Sequence, residues 1–345
     1  MKKVVVIGGG FAGSLIAKKL EGKFEVTLVD TKDYFEFTPG ILRSIVEPTH
    51  VKKIQVLHTH YLRKARVIVG RVSEVTKTEV KVGTKRLKYD YLAVCSGSHT
   101  EPPFKEHGIV LANRANELRE CHSSLHDAKK VVIVGGGLVG VELAGEIAWK
   151  YPEKELTIIH AKPRLMERLP ARAAKLAERY LTKKGVEIFY NERVEQIKDH
   201  TLVTRSRKKF KADMFFLCTG IKVNCSFMQK NFSSAIDERG RLKVDQCLRV
   251  VGTRNVFAAG DVNDCKVEKT AQNAELQAEV VVKNICALED GHKMKEYVPK
   301  QTPLVISVGK WYGIFVKGNF AFGGIVPALM KGAIEKWEIA KKKKI

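Results

Sequence analysis

The sequence predicts an α/β chain with two parallel-sheet units, the second inserted in the first, and a small C-terminal strand-and-helix segment. Three observations carry this. A β-branched strand, a glycine turn, a helix and a second strand fill residues 3–30. The same pattern recurs over residues 130–160, and a later strand ends in Gly260-Asp261. A repeat at that distance is no solenoid; it marks two Rossmann-like dinucleotide-binding domains.

In the first unit the turn reads Gly8-Gly-Gly10-Phe-Ala-Gly13. Gly8 permits the tight turn, Gly10 lets the backbone approach a pyrophosphate, and Gly13 lets the helix pack on the strand. The pyrophosphate then sits on the helix N-terminus, and Asp30 can accept from both ribose hydroxyls. Residues 34–42 form an aromatic loop entering a helix, and short strands follow at 67–69, 72–75, 80–82 and 91–94. Pro102-Pro103 marks a linker.

The second turn reads Gly135-Gly-Gly137-Leu-Val-Gly140, with Glu142 in the helix behind it. His160 stands where an NAD-selective site carries an acid, with Lys162 and Arg164 close behind. Two roles stay open for it: accommodating a 2′-phosphate, so that NADPH serves alongside NADH, or bonding a ribose hydroxyl. The strand through Cys218 ends at Thr219-Gly220 and returns the chain to the first domain. The expected division is 1–103 with 225–303 for the first domain, 104–224 for the second, and 304–345 for the tail. Asp261, at the carboxyl end of its strand, should meet the first dinucleotide.

Composition narrows the setting. The 345 residues suffice for two domains, and 44% apolar with 29% charged is a globular balance. No signal peptide and no apolar run of about 18 residues is present, so no membrane span is expected. Met-Lys-Lys lacks the Met-Gly of a myristoylation site. The seven cysteines show no metal spacing, and their odd number suits a reducing cytoplasm. A net charge of +23 suits anionic nucleotides, acidic lipid, nucleic acid or simply a lysine-rich surface. Residues 205–211 read as a solvated turn between strands, and no specific nucleic acid is expected.

Together these motifs resemble the two-dinucleotide flavoprotein family that includes glutathione reductase, type II NADH dehydrogenases and apoptosis-inducing factor. The likeness covers nearly the whole chain. It implies FAD in the first site and NADH or NADPH in the second. For FAD it implies Gly8, Gly10, Phe11, Ala12, Gly13, Asp30, Thr38, Pro39, Val72, Ser96, Gly97, Gly260, Asp261, Lys269, Thr270 and Ala271. For the nicotinamide nucleotide it implies Gly135, Gly137, Leu138, Val139, Gly140, Glu142, His160, Thr219 and Gly220.

Disulfide reductases of this family carry cysteines after the first unit, where this chain has Phe37-Thr-Pro-Gly-Ile-Leu-Arg43. Sulfide:quinone reductases carry one near the second glycine motif, where this chain has Leu138-Val-Gly-Val-Glu142. Thiol chemistry is therefore not expected. Phe37-Thr-Pro39 resembles the Phe-Thr-Pro beside the flavin of type II NADH dehydrogenases. The run Thr270-Ala-Gln-Asn-Ala-Glu-Leu-Gln277 is similar to their quinone-site helix, with Gln272 in register and Gln277 one residue late. Residues 151–160, Lys184-Gly-Val and residues 217–224 resemble the ferroptosis-suppressor branch, coenzyme Q reductases related to apoptosis-inducing factor.

The resemblance thus implies an FAD-dependent NAD(P)H:quinone oxidoreductase, with Glu142, Lys269 and Gln272 nearest the chemistry. Lys269 is expected either to pair with Glu142 or to lie near the flavin. The rivals are a soluble NADH oxidase or a ferredoxin- or rubredoxin-type carrier reductase, and a flavoprotein that binds nucleic acid. In the tail, strands at 304–308 and 312–316 and a turn at 317–319 precede a helix from Ile325. Val326, Leu329, Met330, Ala333, Ile334, Trp337 and Ala340 share one of its faces. That face suits an anionic membrane, placing the protein peripherally on the cytoplasmic face of the inner membrane. It equally suits the protein's own body or a homodimer.

Overall fold

A computed structural model describes residues 1–99 and 114–343. The Pro102-Pro103 linker and the 103/104 boundary lie outside the described residues. Five parallel strands lie in the spatial order Val256–Ala258, Tyr91–Val94, Lys3–Ile7, Glu25–Asp30 and Arg66–Val69. A second parallel sheet runs Glu187–Phe189, Glu155–Ile159, Lys130–Val134 and Met214–Leu217. The two units share one register: Lys3 lies opposite Glu25, and Lys130 opposite Glu155. Their central strands are continuous Val/Ile runs because both faces of each sheet are covered.

On the first sheet the helix Phe11–Leu20 packs beside Ala271–Glu289, burying Leu15, Ile16, Ala274, Ala278 and Val281 in one core. Several strands escaped the sequence reading, among them Gln55–Leu57, Lys85–Lys88, Glu187–Phe189 and Lys209–Lys211, the last inside the turn expected at 205–211. Lys85–Lys88 pairs with Glu79–Val82, but its Lys-Arg-Leu-Lys sequence shows no apolar alternation.

The tail forms an antiparallel sheet of Leu304–Ser307, Gly313–Lys317 and Phe320–Gly324, followed by the helix Ile325–Lys343. It sits directly on the second unit. A side chain at Gly145 would strike the backbone of Val308 and Gly309, and Tyr312 stacks on Tyr180 at 4.1 Å.

The C-terminal helix docks with the opposite face to the one that periodicity selects. Pro327, Glu338, Ile339 and Lys342 are buried, whereas Ile325, Val326, Leu329 and Trp337 stay more than half exposed. Lys342 Nζ donates to Ser14 Oγ at 2.7 Å and lies 4.8 and 5.0 Å from the ring centroids of Phe35 and Tyr61. The helix therefore holds to the body partly through a buried amine packed on two aromatic faces.

Burial pushes Lys342 down to about 8. With the folded value below the unfolded one, this lysine's contribution to stability is complete above the ordinary lysine range and is lost as pH falls through about 8. Relative to Lys342→Met, the wild type should gain up to roughly 3 kcal/mol between about pH 8 and 10.5. Denaturation midpoints across that window check this; a constant difference would show that the ammonium is not desolvated.

Candidate active site

Each glycine turn builds a cradle. Gly8 and Gly135 hold φ of +96° and +112°, and a side chain at either would strike the carbonyl of Cys95 or Cys218. Gly10 and Gly137 cap the two helices without a side-chain hydrogen bond, so the N–H groups from Phe11 and Leu138 onward face outward. A Cβ at Gly10 or Gly137 would meet nothing within 4 Å. Open space over unpaired donors at a helix N-terminus fits a pyrophosphate in both places.

Asp30 does not stand alone. Its Oδ2 accepts from Gly9 N–H at 3.0 Å and faces His58 Nε2 at 3.2 Å, while Oδ1 accepts from Thr31 N–H. His58 Nδ1 lies 2.6 Å from the Tyr61 hydroxyl. Burial works to raise the Asp30 pKa, but His58 and Lys32 hold it below the usual carboxylate value. Neither His58 nor Tyr61 was singled out from sequence, because their short helix His58–Tyr61 has no motif around it.

Around the same sheet edge, the Ser96 hydroxyl donates to the Asn224 carbonyl and Gly97 adopts φ +65°. Ser98 donates to Asp261 Oδ2 at 2.6 Å. Thr38 and Pro39 lie in a short 3-10 turn, and Val72 is buried in the core with Ile7 and Val29. Thr270 caps the helix that starts at Ala271, accepting from Asn273 N–H.

Gln277 is buried, and its Oε1 accepts from Gly260 N–H at 2.7 Å and Asn263 Nδ2 at 2.9 Å. It braces the Gly260-Asp261 turn. Gln272 is exposed. At the second site, Thr219 and Gly220 (φ +126°) are exposed where the strand Met214–Leu217 ends beside the Gly135 turn.

The expected pairing of Lys269 with Glu142 does not form. Lys269 Nζ donates instead to the Asn263 carbonyl at 2.7 Å, and burial lowers its pKa. Glu142 is taken by the tail: its Oε1 lies 3.1 Å from Lys331 Nζ and accepts from Ser307 N–H at 3.0 Å. One turn on, Glu146 forms a two-point ion pair with Arg43 at 2.8 and 3.2 Å and accepts from Ser307 Oγ. Glu335 lies 3.2 Å from His50 Nε2. Sequence gave no sign of Lys331 as Glu142's partner, since 189 positions separate them.

A small open cleft lies among these groups, lined by Pro39, Gly40 and Arg43 from the first unit, Glu142 and Glu146 from the second, and Ala328, Lys331 and Glu335 from the C-terminal helix. All seven cysteines are free, and burial pushes the thiols of Cys95, Cys121 and Cys218 up to about 12. None of those three is a thiolate near neutral pH.

Two mononucleotide-type cradles on parallel sheets, joined at such a cleft, define a two-nucleotide oxidoreductase. Residues 2–278 match the pyridine nucleotide-disulphide oxidoreductase family, and the chain belongs to it. It is an enzyme with FAD and a nicotinamide dinucleotide as its cofactors. It is 33% identical to apoptosis-inducing factor homolog A of Dictyostelium discoideum, over 96% of this chain and 88% of that protein. It is 30% identical to human ferroptosis suppressor protein 1, over 95% of this chain and 92% of that one. Its fold matches the sulfide:quinone oxidoreductase of Aquifex aeolicus with a TM-score of 0.84 at 19% identity, covering 100% of this chain and 92% of that one.

Because a methyl group at Gly10 or Gly137 touches no protein atom, Ala at either position should leave the fold intact. Gly10→Ala should weaken FAD retention by roughly tenfold or more, about 1.4 kcal/mol, and Gly137→Ala should spare it. Flavin absorbance after gel filtration reads both. Normal flavin content in the Gly10 variant would remove FAD from the first site.

Proposed function

We propose that this protein is an NAD(P)H:quinone oxidoreductase, with FAD on the Gly8–Gly13 turn and the nicotinamide nucleotide on the Gly135–Gly140 turn. The observation that carries this reading is the cleft. It brings Pro39 of the first unit, Glu142 of the second and Lys331 of the tail to one place. The reaction balances as NAD(P)H, a quinone and one proton giving NAD(P)⁺ and a quinol. Bound FAD supplies a hydride acceptor toward the nicotinamide and a two-electron donor toward the quinone.

The chain's own residues supply position and charge. Glu142, held by Ser307 N–H, orients the Lys331 ammonium into the cleft. There Lys331 can donate to a carbonyl oxygen as negative charge develops on it, and then pass the proton. Arg43 and Glu146 tie the two units together beside this point, and Lys331 itself is held by Glu142 and the Val305 carbonyl. Among the described residues the lining of this cleft holds no cysteine, and the buried thiols of Cys95, Cys121 and Cys218 are protonated, which supports a quinone rather than a disulfide as the electron acceptor.

The tail supports an anionic membrane surface as the place where a hydrophobic quinone is met. No helix among the described residues is long and apolar enough to cross a membrane. Trp311, Phe320, Ile325, Val326, Leu329 and Trp337 are all more than half exposed. Lysines flank them: Lys341 lies over the Trp337 ring at 5.0 Å, and Lys310 over Trp149 and Trp311 at 5.0 and 5.6 Å. Apolar side chains rimmed by such lysines suit an interfacial helix on acidic lipid.

Lys331→Met should slow quinone-driven flavin reoxidation on the order of 100-fold, while NADH bleaches the flavin within a few-fold of the wild-type rate. Stopped-flow traces of the two half-reactions distinguish this from a role in hydride transfer, where bleaching would slow instead. Separately, Leu329→Glu with Trp337→Glu should abolish co-sedimentation with anionic vesicles and leave reduction of a soluble dye unchanged. Retained sedimentation would rule out this face, and a shift from dimer to monomer would assign it to a second copy.

A further inference from the structure

The two nucleotide sites solve the same problem with their groups exchanged. In the first, the glycine-loop N–H of Gly9 meets Asp30 Oδ2, and His58 Nε2 stands behind that oxygen at 3.2 Å. In the second, the equivalent N–H of Gly136 meets His160 Nδ1 at 3.0 Å, and a carboxylate, Glu167 Oε2, stands 3.4 Å from His160 Nε2. The acid missing at the end of the second strand has been moved seven residues along the chain.

The loop that carries Glu167 is held firmly. Met166 adopts φ +45° and its N–H donates to the Gly136 carbonyl at 2.8 Å. Arg164 Nη2 donates to the carbonyls of Glu167 and Leu169 at 2.6 and 2.9 Å. Arg164 is thus engaged with main chain through Nη2, its Nη1 is buried without a partner, and of the two cations read from sequence as phosphate attractors only Lys162 is exposed.

His160 itself is buried. Burial lowers its pKa against the pull of Glu167, so at pH 7 the imidazole is neutral. With Nδ1 accepting from Gly136 N–H, the proton sits on Nε2. That leaves His160 as a donor, unable to accept from ribose hydroxyls.

We propose that Glu167 is the ribose-recognising carboxylate of the second nucleotide site and makes it select NADH over NADPH. This rests on the reading of the Gly135–Gly140 turn as the nicotinamide-nucleotide site. A 2′-hydroxyl can donate to the exposed Glu167 carboxylate, which the buried His160 Nε2 faces from behind at 3.4 Å. A 2′-phosphate in the same place meets the Glu167 carboxylate as a like charge, with Lys162 as the exposed cation opposing that repulsion.

Calorimetric binding of ADP-ribose and of 2′-phospho-ADP-ribose to the flavin-loaded protein tests this without turnover. The wild type should prefer ADP-ribose. Glu167→Gln, a change at a partly exposed side chain, should cut that preference on the order of tenfold, chiefly by tightening the phosphorylated ligand. His160→Asp placed in the Glu167→Gln background should restore the preference, because it returns the acid to the strand end. An unchanged ratio in Glu167→Gln, or a wild type that favours the phosphorylated ligand, would overturn the assignment. Binding of neither ligand to the wild type would overturn the site reading beneath it.

Discussion

Everything in the two nucleotide units follows from a helix N-terminus pressed against a glycine carbonyl. A side chain at Gly13 would strike the Gly8 carbonyl, and one at Gly140 the Gly135 carbonyl. That contact aims each helix at the mouth of its sheet and leaves Gly10 and Gly137 open above unpaired N–H groups. Asp30, which accepts from Gly9 N–H, and the Gly260-Asp261 turn, where a side chain at Gly260 would lie 3.8 Å from Ala12, both sit beside the first of those points. The repeat is visible in sequence because this constraint is local: six residues satisfy it wherever they occur.

The tail obeys a different logic. An amphipathic helix usually buries its apolar face, yet here Lys331, Glu335, Glu338 and Lys342 turn toward the body while Leu329 and Trp337 face out. Three of these inward groups have partners, whereas Glu338 is buried with Oε2 unbonded and Lys341 no nearer than 3.8 Å. Lys331 meets Glu142, Glu335 meets His50, and Lys342 rests on two aromatic rings. Burying charge is costly unless each is paired. The inverted helix is thereby linked at one end to the cleft and at the other to Ser14 and Tyr61, in the elements that frame Asp30.

What sequence made legible was whatever depends on short-range spacing: both glycine turns with their flanking strands, the turn at 317–319 and the start of the last helix at Ile325. What it hid was pairing at a distance. Periodicity located two faces on the helix but could not say which one docks, because Glu142, His50 and the Phe35–Tyr61 pair lie far away in the chain. For the same reason a pairing of Lys269 with Glu142 stood as one of two expectations for Lys269, while the fold gives Glu142 to Lys331. Gln277 sat one residue out of register with a quinone-site motif; its hydrogen bonds to Gly260 and Asn263 show a bracing role instead.

The exchanged acid and imidazole also bear on how tightly each nucleotide is held. The Asp30 side chain is 10% exposed, backed by His58 and through it by Tyr61, so a ligand bonded there lies against a fixed and largely dry carboxylate. The Glu167 side chain is 38% exposed, at the rim of its site. A hydrogen bond to a dry, preorganised charge is worth more than one to a wet, mobile charge, because less solvent is displaced and less order is lost on binding. The first arrangement suits a cofactor that stays through every turnover. The second suits a co-substrate that must leave after each hydride, and a flavoprotein that draws on free NAD(P)H needs one site of each kind.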